Sequence, residues 1–509
     1  MQHIRFTFID LFAGIGGFKM ALSNNGGHCL GFSEINKDAI NVYCDNFQID
    51  PSYNLGDITK IKKLPPHDLL TAGVPCQSWS IAGKNLGFDD DRGQLWNDTI
   101  YLLQQSQPKA FIFENVKGLV DPRNKKALFY ILERIKQAGY YATYFVINSF
   151  DYGVPQNRIR VYIIGFKEKN YFQEFRLPKP NDKKLKLGDI LGIKPQKKIE
   201  KEIVQIDLFG NIVESKNMSL SNTNGFNDYF LFNDLRNGHT TIHSWDILDT
   251  TQRQKDICLL LLRNRRKSNY GGLDGNPLSL EHFQGLDPSI QQTEIDELVR
   301  LEILKTEEYR FVVKPHNIRD LTQDEELLLS FTNNIEIIID SLKKQRIFKV
   351  KKISIGKTIT SLKQKNIIEC IETRYDFKNA KISTGLFGVN RIFLPSSDIF
   401  PTLVASDTND FITFKTIEAE NHNDFKKKFL KEVYETGEFR KITKSEACLI
   451  QGFPKDFKLP ESRAKWMKLI GNSVSVPVID QLCKAIVDTG VFETEETAQI
   501  DEDVLKESA

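Results

Sequence analysis

Apolar and polar positions follow two different periods over the first third of the chain. Short apolar runs at Phe6–Phe12, Cys29–Glu34, Asp68–Ala72, Ala110–Glu114, Ala142–Ile147 and Arg160–Phe166 read as strands. Between them Asp38–Phe47, Gln94–Gln105 and Lys126–Ala138 read as amphipathic helices. Strands alternating with helices at this spacing predict a doubly wound α/β sheet. The pattern breaks at Leu177-Pro-Lys-Pro180, which reads as a linker. From there to about Phe400 the chain is polar and basic, carries turn signals such as Asn269-Tyr-Gly-Gly272, and shows no sustained period. Regular spacing returns with predicted helices at Thr443–Ile450 and Val474–Val487. The expected plan is one α/β domain built from both chain ends (1–176 and 437–490). A smaller, irregular domain is inserted at 177–436, and an acidic tail at 491–509 is expected to be flexible.

Length and composition add bounds. A chain of 509 residues exceeds one small core, and 40% hydrophobic with 27% charged residues is the balance of a soluble globular protein. No run of about 18 apolar residues predicts a membrane span. The stretch Met1–Phe6 has no signal-peptide pattern, so a cytoplasmic protein is expected. Cys29, Cys44, Cys76, Cys258, Cys370, Cys448 and Cys483 are too scattered for a zinc ribbon or a redox pair. Reduced thiols and no metal are expected. The net charge of +2 excludes nothing, but its distribution is uneven. Twelve Lys or Arg against three acids lie between Ser341 and Lys381, and Arg263, Arg265, Arg266 and Lys267 form a second cluster. Basic clusters are commonly solvated faces; concentrated in mid-chain they suit a polyanion-binding module.

Candidate chemistry sits at the ends of the predicted strands. Phe8-Ile-Asp-Leu-Phe-Ala-Gly-Ile-Gly-Gly-Phe18 places glycines after a strand and before a helix, which admits a close ligand or makes a tight turn. A dinucleotide fingerprint would want a third glycine where Lys19 stands. Glu34 ends the second strand about twenty residues past Gly14, where such folds place an acid against ribose hydroxyls. Gly56-Asp57-Ile58 is placed to meet an adenine edge. Leu70-Thr-Ala-Gly-Val-Pro-Cys-Gln-Ser-Trp-Ser80 sets Cys76 just past a strand's C-terminal end, as a nucleophile or as an inert thiol in a Pro turn. Phe111-Ile-Phe-Glu-Asn-Val-Lys117 leaves Glu114 at the end of an apolar strand, either with a chemical role or in an ion pair or cap. In Tyr152-Gly-Val-Pro-Gln-Asn-Arg-Ile-Arg160, Arg158 and Arg160 point to one face with Gln156 beside them. That face suits an anion or a base carbonyl, or a surface salt-bridge pair.

Together these segments resemble the cytosine-C5 DNA methyltransferases. Phe12-Ala-Gly-Ile-Gly-Gly17, Pro75-Cys-Gln77, Glu114-Asn-Val116, Gln156-x-Arg158-x-Arg160 and Gly471-Asn-Ser473 occur in that family's order. Arg440-Lys-Ile-Thr443 with Glu446-Ala-Cys-Leu-Ile-Gln-Gly-Phe-Pro454 resembles its penultimate motif. The likeness covers about Phe6–Phe166 and Arg440–Ile479, but not the middle. It implies a Rossmann-like methyltransferase domain using S-adenosylmethionine and releasing S-adenosylhomocysteine, with a target-recognition domain inserted. By resemblance Cys76 attacks C6 of cytosine, Glu114 bonds N3 and the exocyclic amine, Arg160 holds O2, and Arg158 supports the site. The donor residues implied are Asp10, Phe12, Gly14, Gly17, Glu34, Ile35, Asp57, Ile58, Pro75, Leu95, Asn472, Ser473 and Val474. Ile35 departs from relatives that carry an aromatic there.

The target atom is inaccessible inside a duplex, so the base must be flipped out. Ser78–Gly93 resembles the family's closing loop, and Gln77, Ser80, Lys84, Arg92 and Gln156 are the DNA contacts implied, with Thr402 of Pro401-Thr-Leu403 at the end of the recognition domain. The expected partner is double-stranded DNA. A cognate restriction endonuclease would act separately, and the chain would work as a monomer at the prokaryotic nucleoid. Two other functions share parts of this pattern. The tRNA-methylating relatives have a shorter middle and a Cys-Phe-Thr signature, absent here. A non-catalytic DNA-binding subunit would be expected to lack Cys76, Glu114 or the donor loop.

Overall fold

The structure, a computed structural model, describes residues 4–75, 91–192, 200–206, 212–219 and 245–493, the last range without 246–247, 249, 273–274, 316, 318–319, 333–334, 379–390, 395–398, 409, 416, 418 and 420–421. The chain divides into two compact units: 1–229 with 393–421 and 432–509, and 230–392 with 422–431. Both expected boundaries of the inserted domain, 177 and 436, fall within the first of these units.

The first unit is built on a six-stranded sheet. Its strands are β1 (Phe6–Leu11), β2 (Gly27–Ser33), β3 (Leu69–Gly73), β4 (Ala110–Val116), β5 (Tyr141–Asn148) and β7 (Ile159–Phe166), with the two-residue β6 (Gln156–Asn157) before β7. The order is β2-β1-β3-β4-β7-β5, and β1 to β4 are parallel neighbours. Strand β7 runs antiparallel to both β4 and β5. Apolar residues alternate between two cores because successive side chains leave opposite faces of a strand. Phe8, Leu69, Ile112 and Ile164 enter one core; Ile9, Leu11, Leu70, Phe111, Phe113 and Ile163 enter the other.

Helices close each face. Helices α1 (Gly17–Asn24) and α2 (Lys37–Phe47) cover the first, together with the C-terminal helices Lys444–Gln451, Arg463–Asn472 and Val476–Val487. Helices α3 (Asp91–Ser106) and α4 (Lys125–Gln137) cover the second, with Trp96, Ile100, Ile131 and Ile135 turned inward. Thr443 and Glu446 start the Lys444–Gln451 helix by capping each other's backbone. The last helix buries Val476, Ile479, Leu482, Cys483 and Ile486, each worth about 1.5–3 kcal/mol of transfer free energy for the larger side chains. A hairpin of β8 (Glu200–Ile206) and β9 (Ile212–Ser219) also belongs to this unit.

The second unit is more regular than its sequence suggested. Strand β10 (Leu304–Val313) lies between β11 (Glu336–Ile338) and β12 (Ile368–Phe377), antiparallel to both. One core gathers Ile257, Leu261, Phe283, Ile295 and Leu298 from three helices; another gathers Phe311, Leu328, Ile337, Leu342, Phe348 and Leu362. Arg265 and Asp376 form a buried ion pair at 2.8 Å. No helix among the described residues is long and apolar enough to cross a membrane.

Candidate active site

At the C-terminal end of β1 the chain turns through Phe12 (φ 53), Gly14 (φ 55) and Gly16 (φ 88) before α1 begins. Three left-handed residues in five make a tight turn that side chains resist, which is why glycine holds two of them. A Cβ at Gly14 would meet nothing within 4 Å, so open space faces that backbone, whereas one at Gly17 would strike Val474 at 2.7 Å. Glu34, just past β2, bonds this turn: one carboxylate oxygen accepts from the Gly14 N–H at 2.9 Å and the other from the Ile35 and Asn36 N–H groups at 2.8 Å each. Ile35 is left 72% exposed, an apolar surface beside that acid. Asp57 accepts from the Thr59 backbone and hydroxyl, which holds its carboxyl below the usual range, while Ile58 is buried.

The second cluster lies at the ends of β3, β4 and β7. Asn115 is buried and donates to the Val74 carbonyl at 3.1 Å, fixing the chain where it leaves β3 toward Pro75. Its neighbour Glu114 meets the Arg160 Nε at 3.0 Å. Burial pushes the Glu114 carboxyl up from its ordinary range, against the pull of Arg160 and then Arg158. The buried Arg158 donates to the carbonyls of Leu403 (3.2 Å), Gly471 (3.1 Å) and Ser473 (2.6 Å). Desolvation, then Arg160, lowers its guanidinium to about 9, so it stays a cation at neutral pH. These bonds draw the Gly471-Asn-Ser473 return against the start of β7, and Val474 against Gly17 of the donor-side turn.

Residues 6–333 and 329–488 match the model of the family described as C-5 cytosine-specific DNA methylase. The chain belongs to this family. It is 40% identical over 494 residues to the Type II methyltransferase M.HgiBI of Herpetosiphon aurantiacus, covering 96% of this chain and 99% of that one. Identity to the Type II methyltransferase M.NlaIV of Neisseria lactamica is 30% over 515 residues, covering 96% and 100%. M.HhaI of Haemophilus parahaemolyticus is 40% identical over 186 residues, 36% of this chain and 56% of that protein. The protein is a DNA (cytosine-5-)-methyltransferase, of a family that draws its methyl group from S-adenosylmethionine.

The fold brings Asp10, Phe12, Gly14, Gly17, Glu34, Asn472, Ser473 and Val474 to neighbouring strand ends and turns of this methyltransferase unit. Asn472 is exposed, Ser473 and Val474 are buried, and Pro75 and Leu95 are half-buried. Cys76, Gln77, Ser80 and Lys84, with most of the Ser78–Gly93 loop, lie outside the described residues, as does the side chain of Arg92. Gln156 is fully buried, and its amide donates to Ile450 O at 3.0 Å and Gln451 Oε1 at 2.8 Å. Gln156 opens β6, alongside which Phe400–Pro401 pairs in parallel. Thr402 is half-buried and its hydroxyl donates to Asn157 O. Three residues with supporting bonds had received no role: Asn115, Asn148, whose Oδ1 accepts from the Arg158 N–H at 3.0 Å, and Gln451, which donates to Ser473 O at 2.9 Å. Asn115 and Gln451 each stand inside a family-like motif, Glu114-Asn-Val116 and Glu446–Pro454, whereas Asn148 carries no local signal.

Proposed function

We propose that this methyltransferase modifies C5 of a flipped-out cytosine in a specific duplex DNA sequence through a bond between the Cys76 sulfur and C6. The observation that carries this reading is the Glu114–Arg160 pair at 3.0 Å, beside the Val74 carbonyl that Asn115 holds two residues before Cys76. Cytosine C5 is a weak nucleophile until a thiolate adds at C6 and pushes electron density onto the ring. Burial that raises the proton affinity of Glu114 favours the form that can protonate N3 as that charge grows. Arg160 supplies a cation for O2, while Arg158 acts by positioning the strands. When bound, S-adenosylmethionine supplies an electrophilic methyl group. Loss of the C5 proton and expulsion of the Cys76 thiolate then restore the aromatic ring.

The donor side fits that ligand. The open space at Gly14 admits a close approach to the backbone, and exposed Ile35 offers an apolar face for the adenine. Glu34 uses three N–H bonds of roughly four acceptor positions on a carboxylate, leaving capacity for a ribose hydroxyl. Asp57, kept ionised, and Ile58 take the adenine edge; Asp10, Phe12, Gly17, Pro75, Leu95, Asn472, Ser473 and Val474 complete the lining. Gln77, Ser80, Lys84, Arg92 and Thr402 contact DNA, and the second unit carries sequence recognition. The Type II relatives support a restriction-modification setting, with the cognate endonuclease separate and this chain acting as a monomer in the bacterial cytoplasm. A duplex carrying 5-fluorocytosine tests the chemistry, because fluorine cannot leave C5 as the proton does. Wild type is expected to be trapped on it as a covalent adduct, and Cys76→Ala to form none. An undiminished adduct with Cys76→Ala, or methyl transfer confined to tRNA, would overturn the proposal.

A further inference from the structure

The basic run of the second unit splits, on the structure, into two kinds of cation. Lys344, Lys363, Lys365, Arg374 and Lys378 are each paired, with Asp340, Glu308, Glu325, Glu372 and Glu302 respectively. These charges are neutralised within the unit and contribute little field outside it. Lys343, Arg346, Lys351, Lys352 and Lys357 are exposed and have no acidic partner among the described residues. All five fall between 343 and 357, a segment with seven Lys or Arg and no Asp or Glu. Two of them, Lys343 and Lys352, line one cavity of about 630 Å³ whose floor is Phe348, Ile353 and Ile355, with Gln345 and Ser354 at its wall. The chain is folded back to make it: Lys352 takes a left-handed conformation (φ 57) between the helices Arg346–Val350 and Ile355–Gln364.

A concave site with an apolar floor and unpaired ammonium groups at its rim matches the deoxyribose-phosphate backbone, which alternates an apolar sugar with an anion. A free phosphate would leave the floor unused. We propose that the 343–357 segment is a backbone-contact site for duplex DNA, holding phosphates with Lys343 and Lys352 and thereby fixing the register of the second unit on its target. Such contacts orient a protein without reading sequence. The inference rests on the reading of this enzyme as a duplex DNA methyltransferase and adds where the second unit grips the substrate.

The test is equilibrium binding of a mixed-sequence duplex oligonucleotide by the full-length protein, followed across salt concentrations. Each phosphate neutralised contributes about 0.9 to the slope of log affinity against log salt. The double variant Lys343→Gln/Lys352→Gln should flatten that slope by about 2, taking both contacts together. It should leave S-adenosylhomocysteine affinity and the set of methylated cytosines unchanged. The control Lys363→Gln/Lys378→Gln, which removes paired cations, should keep the wild-type slope. An unchanged slope in the first variant, an equal loss in the control, or an altered set of methylated cytosines would each overturn the site while leaving the duplex reading in place. Wild type without salt-dependent duplex affinity would overturn both, and a loss seen with tRNA alone would identify the segment as an RNA contact instead.

Discussion

Asp10 stands one residue before the end of β1, fully buried, with one oxygen accepting from the Thr71 hydroxyl at 3.1 Å and the other, Oδ2, without a hydrogen-bond partner among the described residues. Burial lifts its carboxyl from the ordinary range to about 7, and the Thr71 bond and Lys19 only partly offset that. A folded-state value above the unfolded one means the native chain holds an extra proton between the two. The stability this confers is full in acid and is lost as pH rises through about 7. Between pH 5 and 8 wild type should therefore lose about 2–3 kcal/mol, at roughly 1.4 kcal/mol per unit, that Asp10→Asn does not lose. Urea unfolding of both proteins at the two pH values checks this, and parallel behaviour would show that Asp10 is ionised throughout. The position was legible in the sequence as part of the donor motif. Its charge state was not, because that depends on the burial supplied by distant segments.

Among the elements, the strands of the six-stranded sheet were legible within about two residues, since a two-sided apolar strand leaves its period in the chain whatever it pairs with. The antiparallel course of β7 was not, because periodicity carries no direction and the short return after β5 fixes it instead. Arg158 shows the same division. Its motif marked it, but its three acceptors at Leu403, Gly471 and Ser473 lie more than two hundred residues away in sequence. Replacing it with Ala would take one donor from each of those carbonyls, leaving Ser473 O its bond from Gln451, at a cost of about 3–5 kcal/mol. Arg158→Lys keeps the charge but cannot span all three acceptors, so an intermediate loss is expected. Thermal midpoints, S-adenosylhomocysteine affinity and kcat should fall together in both variants if Arg158 positions the Gly471–Val474 return. A large drop in kcat with the midpoint and donor affinity intact would instead place it on the substrate.

At the scale of the whole chain, the middle region hid its order because its helices are short and its strands carry charge. Strand β10 places Lys305, Glu307 and Arg310 among Leu304, Tyr309 and Phe311, and ion pairs across the sheet, such as Arg310–Glu372 at 3.2 Å, replace the clean alternation of a half-apolar strand. The resulting unit has cores of its own, distinct from the two that flank the six-stranded sheet. Ligand linkage should report that separation, since a ligand stabilises only the structure whose unfolding abolishes its site. Every residue assigned to the donor lies in the first unit. At about 100 times Kd, S-adenosylhomocysteine stabilises its binding unit by about 2.7 kcal/mol, or roughly a hundredfold slowing of exchange for amides that open by unfolding. Hydrogen exchange should therefore slow for Phe8, Leu70 and Ile112 of the sheet and stay unchanged for Cys258, Phe311 and Ile337 of the second unit. Equal protection in both sets would mean that the two cores unfold as one, and slowing confined to the second would place the donor there instead.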